Sequence, residues 1–237
     1  MTLNESGTKR ERWNRIVYSM DFSSEHIYKI KLLHRELLQE IKGKLESFKE
    51  IWTKRDDERM WEELVFCLLT PQSKAEMCWR VVENLRSKGL LFKGSVEEIC
   101  RELSGIRFRN RKAEYIVDAR NFFFNFGKPA VSRLLESVGS PFEMREWLVS
   151  NVKGMGYKEA SHFLRNIGLG EDMAILDRHI LKCMMDIGLL DKLPLTMSKR
   201  GYLRIEDILR KFSEDIGIAL SHLDFVFWYL RTGRIFK

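Results

Sequence analysis

The stretch "VKGMGYKEASHF", residues 152–163, decides how this chain folds. Gly154 and Gly156 bracket Met155, and Lys158 follows two residues after the second glycine. "PFEMREWLVSNV" runs into it and "YKEASHFLRNIG" runs out of it, and both carry helical periodicity. The pattern predicts helix, tight glycine turn, helix. Glycines let the backbone approach a ligand closely, and with the free N–H groups of the next helix they make an anion site. A cation in a first helical turn opposes the helix dipole by roughly 0.3–1 kcal/mol. Lys158 therefore needs a reason to stand where it does.

Outward from the hairpin, helical periodicity recurs and strand-like alternation is almost absent, with only 15 Gly and 4 Pro in 237 residues. In residues 26–52, Ile27, Ile30, Leu33, Leu37, Leu38, Ile41, Leu45, Phe48 and Ile51 share one helix face. "DERMWEELVFCLL" and "AEMCWRVVENL" read as two helices turned near Thr70 and Pro71, with the proline expected in the first turn of the second. Ser95 with Glu98 predicts a capping box. Further helices are expected in 111–124, 177–188, 205–217 and 219–233, several stopped by glycine. The fold class is all-α, with about ten short helices. The run of Phe122, Phe123, Phe124 and Phe126 is expected in the core.

Composition narrows the function. Apolar residues make up 44% and charged residues 32%, as in an ordinary globular protein. A net charge of +7 favours a polyanionic partner. Cys67, Cys78, Cys100 and Cys183 form no C-x-x-C pair, so they read as reduced thiols of a cytosolic protein and not as zinc or iron–sulfur ligands. No signal peptide or membrane span is expected, and residues 1–20 read as a polar arm. Charge, glycine spacing and helical context together read the hairpin as a helix-hairpin-helix, a sequence-independent grip on the DNA backbone through Gly154 and Gly156. A plain αα-hairpin is the other reading. Arg107, Arg109, Arg111 and Lys112 are expected to be a phosphate-facing stripe with salt-dependent affinity, or else a solvated charged face.

"VKGMGYKEASHFLRNIGLGEDMAILDRHIL" resembles the helix-hairpin-helix DNA glycosylases that carry a Gly/Pro-rich loop followed by an aspartate. Bifunctional members have a lysine after the hairpin glycines and an aspartate nineteen residues on, the spacing of Lys158 and Asp177. "GIRFRNRKAEYIVDAR", "WYLRTG" and the final lysine are similar to the archaeal-type 8-oxoguanine DNA glycosylase/AP lyases, from about residue 60 to 237. The four-cysteine loop of endonuclease III-type relatives is missing.

The resemblance implies two helical domains with a cleft between them: residues 57–165 as one, and 21–56 plus 166–237 as the other. It implies excision of 8-oxoguanine from double-stranded DNA and nicking at abasic sites, by a monomer, in a prokaryotic cytoplasm at the nucleoid. An oxidised-pyrimidine glycosylase and a non-catalytic DNA-binding module are the alternatives. Lys158 would attack the sugar C1′ and form a Schiff base, its pKa lowered by burial and by the helix N-terminus. Asp177, expected as a helix N-cap, would stabilise the cationic transition state. The resemblance places Phe108, His162 and Trp228 around the extruded base, with Gln72 inserted into the duplex and Ser73 and Lys74 near phosphates. Lys237, at the chain end, would read the lesion through its carboxylate. No cofactor is required; a monovalent cation could sit on the carbonyls of Ser150, Val152 and Met155, as in relatives.

Overall fold

A computed structural model describes residues 24–237, so the arm expected at residues 1–20 lies outside it. The described chain is all-α, with twelve helices and one two-stranded antiparallel ladder. The first helix, α1 (Ser24–Thr53), spans the expected stretch 26–52, and it buries the predicted face at Ile30, Leu37, Ile41, Leu45 and Phe48. Next come α2 (Asp57–Leu69), whose residues from Met60 onward are all buried, and α3 (Ala75–Ser87). Pro71 is not in the first turn of α3. A turn closed by Ser73 N–H on Thr70 O at 3.0 Å intervenes, and Lys74 is the N-cap.

The chain continues through α4 (Leu90–Lys93), α5 (Val96–Glu102) and α6 (Arg109–Phe123). Ser95 caps α5 with both bonds of the expected box: Glu98 N–H to Ser95 Oγ at 3.2 Å and Ser95 N–H to Glu98 Oε2 at 2.8 Å. A tight hairpin follows, β1 (Phe124–Asn125) and β2 (Lys128–Pro129), turned by Phe126 and Gly127 at φ 48° and 76°. That turn corrects the aromatic run: Phe123 is in the core, whereas Phe122 is 48% exposed and Phe126, at the tip, 99%. The remaining helices are α7 (Val131–Val138), α8 (Pro141–Asn151), α9 (Tyr157–Asn166), α10 (Arg178–Asp186), α11 (Lys199–Ile216) and α12 (Leu220–Thr232).

Two apolar clusters organise these elements. One runs from Met60 to Met173 around Trp61, Phe66, Phe123 and Phe163. The other joins α1 to residues 174–227 around Tyr202, Phe225 and Phe227. Each such side chain contributes about 1.5–3 kcal/mol on burial. A buried ion pair ties α8 to α11: Arg145 meets Glu206 at 2.7 and 3.0 Å, and Glu206 also accepts Ala174 N–H at 2.8 Å. Both side chains are almost fully buried. Glu206→Ala should lower stability by about 3–5 kcal/mol, because it strands a buried guanidinium. Replacing the pair together with Met and Leu should lose much less, and urea unfolding of the two variants checks the difference.

No described helix is long and apolar enough to cross a membrane.

Candidate active site

The hairpin forms as the glycine spacing predicts. α8 ends at Asn151, Met155 N–H closes a turn on Val152 O at 3.2 Å, and α9 starts at Tyr157 with Gly156 as N-cap. Gly154 has φ +82°, and a Cβ there would come within 2.3 Å of the Tyr115 ring, so only glycine fits. Val152 and Met155 are buried in the first cluster and pin the turn from beneath. Of the three carbonyls expected to hold a monovalent cation, that of Val152 already accepts the turn bond and keeps one lone pair.

α9 carries Lys158 into a cleft of about 870 Å³, lined by Phe66, Lys158 and His162 of the first cluster's elements and by Leu176, Asp177 and Trp228 of the second's. Lys158 Nζ lies 3.0 Å from Thr70 Oγ1 and 3.2 Å from Glu159 Oε1. Thr70 Oγ1 in turn donates to Cys67 O at 2.9 Å, which fixes the hydroxyl so that it accepts from the lysine. Burial works against the ammonium, but the carboxylates of Glu159 and Asp177 outweigh it and hold the Lys158 pKa above the ordinary lysine value. The expected lowering is therefore corrected for the resting site. The helix N-terminus is present, but two carboxylates stand closer in effect.

Asp177 is the N-cap of α10. Its Oδ1 accepts His179 N–H at 2.7 Å and Ile180 N–H at 2.9 Å, and the cap leaves Oδ2 unused by these bonds. His162 lies on the cleft wall one turn beyond Lys158, 8% exposed, its ring edge-on to Phe66 at 5.5 Å. The main chain of Lys237 lies within hydrogen-bonding reach of the His162 ring, and the buried Nε1 of Trp228, whose ring is edge-on to His179 at 4.8 Å, has no partner. Burial above all, then Arg165, Lys158 and Lys237, pushes the His162 pKa well below the ordinary imidazole value, so the ring is neutral. Residue 237 enters the same cleft. Its ammonium ion-pairs with the fully buried Glu63 and sits 3.2 Å from the Trp79 ring centroid, and burial brings its pKa down to about 8.

Gln72 is exposed at the cleft mouth with φ 55°, Lys74 is exposed beside it, and Arg107, Arg109 and Arg111 are exposed around the start of α6. Two expected phosphate contacts, Lys112 and Ser73, are corrected, because both are taken up within the protein. Lys112 is only 3% exposed; its ammonium bonds Leu69 O and Pro71 O at 2.7 Å each and Ser73 Oγ at 3.1 Å. It braces the turn before α3, because those buried carbonyls need a donor. Ser73 is turned inward by the same contact and by Arg107 N–H at 3.2 Å, so its hydroxyl is occupied within the protein. Phe108, the N-cap of α6 at φ 58°, is 54% exposed beside Arg107 and is not part of the cleft wall.

Several groups here gave no local signal. Thr70 and Asp224 line the cleft, and Glu63 meets Lys237, only through the fold. Asp224 pairs with Arg165 at 3.2 Å, and its pKa is raised to about 6 by burial, against the pull of Arg165. Glu159 could have been noticed, since it sits next to Lys158 and three residues after a glycine N-cap.

An all-α body, a glycine hairpin and a cleft-facing lysine–aspartate pair define the class of helix-hairpin-helix DNA glycosylases. Comparison narrows the class. The family model described as 8-oxoguanine DNA glycosylase matches residues 41–218, and the chain belongs to that family. It is 39% identical over 214 residues to the 8-oxoguanine DNA glycosylase/AP lyase of Fusobacterium nucleatum, covering 90% of this chain and 99% of that one. It is 41% identical over 208 residues to the Methanocaldococcus jannaschii enzyme of the same name, covering 87% and 96%. The crystal structure of the M. jannaschii 8-oxoguanine glycosylase/lyase in complex with a 15mer DNA containing 8-oxoguanine superposes with a TM-score of 0.80 at 39% identity, covering 89% and 99%.

Proposed function

We propose that this protein excises 8-oxoguanine from DNA and nicks the strand at the resulting abasic site through an imine on Lys158. The observation that carries the reading is a half-buried primary amine in a cleft whose wall holds buried polar atoms without a partner, Trp228 Nε1 and Arg165 Nε among them. Such atoms cost about 1–3 kcal/mol each unless a ligand satisfies them. The names and structures of the relatives support the same activity.

The chemistry follows from the placement. Lysine Nζ, once neutral, gives its lone pair to C1′, and the bond from C1′ to the base breaks with its electron pair leaving on the base. Positive charge develops on C1′ and the ring oxygen, where the Asp177 carboxylate stabilises it. Loss of a proton from the adduct and opening of the sugar ring give the imine. The imine acidifies the C2′ hydrogen, and its removal expels the 3′ phosphate. Reaching C1′ requires extruding the nucleotide, at about a few kcal/mol. Gln72, exposed at the mouth, is the side chain to fill the gap, and Trp228 offers one face to the base, with stacking of about 1–3 kcal/mol.

Lesion reading uses one atom. N7 of 8-oxoguanine carries a hydrogen and donates, whereas N7 of guanine accepts. The main chain of residue 237 lies beside His162, and a main-chain oxygen there would accept that hydrogen. Facing guanine, that oxygen would be left unpaired, at about 1–3 kcal/mol, or roughly tenfold to a hundredfold. Deleting Lys237 should sharply lower 8-oxoguanine excision and its preference over guanine, while cleavage of a preformed abasic site survives. Single-turnover assays on the three duplexes check this.

The same turn that grips a phosphate is also our proposed seat for a monovalent cation on the carbonyls of Ser150, Val152 and Met155, and no step depends on it. We place the activity in the prokaryotic cytoplasm, where the bacterial and archaeal relatives have their DNA. A panel of duplexes bearing 8-oxoguanine, an oxidised pyrimidine or an abasic site, read with and without borohydride, tests the whole reading. Excision of the pyrimidine but not of 8-oxoguanine would overturn it.

A further inference from the structure

The carboxylate of Glu159 has two partners that belong to two different jobs. Its Oε1 lies 3.2 Å from Lys158 Nζ, and its Oε2 accepts the Gly156 N–H at 3.2 Å. Gly156 is both the second glycine of the hairpin turn and the N-cap of α9. One half-buried side chain thus joins the nucleophile to the amide that the turn would offer a DNA phosphate. A phosphate and an ionised carboxylate cannot share that amide, because like charges at contact repel and each disfavours the other's charged form.

We propose that Glu159 accepts the proton of Lys158 when a DNA backbone phosphate docks on the hairpin turn. The inference rests on the glycosylase reading above. An Nζ–H bond breaks, an Oε1–H bond forms, and the electron pair stays on Nζ as the lone pair that attacks C1′. The approaching phosphate drives the transfer, since a protonated carboxyl no longer repels it. Before DNA arrives the same carboxylate does the reverse and keeps the amine charged and unreactive.

The other groups around Nζ do not take this part. Asp177 keeps Oδ2 free of its α10 cap bonds, but those bonds are to α10 and not to the hairpin turn, so a phosphate on the turn does not displace them, and Asp224 is committed to Arg165. Lys112 is fixed on the carbonyls of Leu69 and Pro71, and His162 is neutral. The thiols of Cys67 and Cys78 are buried, with pKa values pushed up chiefly by that burial, and stay protonated. Of the carboxylates acting on Lys158, Glu159 is also the one that bonds the turn.

The test is a reversal. In free protein, reductive methylation with formaldehyde and cyanoborohydride, read at Lys158 by peptide mapping, should run several-fold faster in Glu159→Gln than in wild type, because the restraining charge is gone. On a duplex with a preformed abasic site, borohydride trapping by Glu159→Gln should run tenfold or more slower at pH 6 and approach wild type as pH rises and solvent takes the proton instead. Glu159→Asp, which keeps an acid, should fall between the two. Thermal melting confirms the fold of each variant, and glutamine can still accept the Gly156 N–H. A uniform loss at every pH would make Glu159 a structural residue. A faster variant on both substrates would make it a restraint only. An unchanged variant would remove it altogether, and each of these overturns the proposal. If Lys158→Gln still traps, it is the glycosylase reading that fails.

Discussion

Lys158→Gln should give no borohydride-trapped adduct and no nicking of a preformed abasic site, while still binding a lesion-containing duplex. The lysine supplies the only bond the imine route makes to the sugar, so its loss is total and not graded. Binding should survive because the proposed phosphate contacts of the hairpin are main-chain N–H groups, which the substitution leaves in place. Glutamine can keep the hydrogen bond to Thr70 Oγ1 and removes a half-buried cation next to Glu159 and Asp177. Trapping, nicking and a binding titration, run on the same preparation, check all three statements. Trapped adduct at the wild-type level would remove Lys158 from the mechanism.

Asp177→Asn should slow base release by about a hundredfold to a thousandfold with little change in affinity for the lesion duplex. Asparagine caps a helix as well as aspartate does, and its single oxygen can accept both the His179 and Ile180 N–H bonds that Asp177 now takes on Oδ1. The fold is therefore kept and the charge alone is removed. The change has two effects of opposite sign. Asp177 raises the lysine's pKa, so removing it eases deprotonation, which would speed the reaction. A net slowing therefore reports the transition state, where the carboxylate faces a cation that exists only there. Single-turnover rates at saturating enzyme, beside a melting curve, separate this from misfolding; an undiminished rate would leave Asp177 as a cap and nothing more.

What the sequence disclosed was local. The hairpin was legible because Gly154, Met155 and Gly156 specify a turn by themselves, and the lysine and aspartate stand at fixed offsets from it. The capping box at Ser95 was legible for the same reason. The protonation of Lys158 was misread, because the helix N-terminus was weighed without Glu159, its neighbour in sequence, and because Asp177 acts through the fold. Lys112 looked like one more surface cation among arginines; nothing in "RNRKAE" says that two carbonyls forty residues earlier will bury it. Thr70 and Glu63 meet Lys158 and Lys237 across 88 and 174 residues, a separation at which periodicity and spacing carry no information.

The joining of α1 to residues 174–227 has a consequence during synthesis. The ribosome releases α1 early with Ile30, Leu37, Ile41, Leu45 and Phe48 along one side, and their partners are made last. At about 5–20 residues per second, the intervening stretch takes on the order of ten seconds to emerge. The cluster from Met60 to Met173 is made during that interval and can close on its own contacts only at its end, while α1 carries a greasy stripe whose partners are still to come. The nascent chain is then a half-built protein with a sticky handle, the form on which a ribosome-bound chaperone would act and from which aggregates would start.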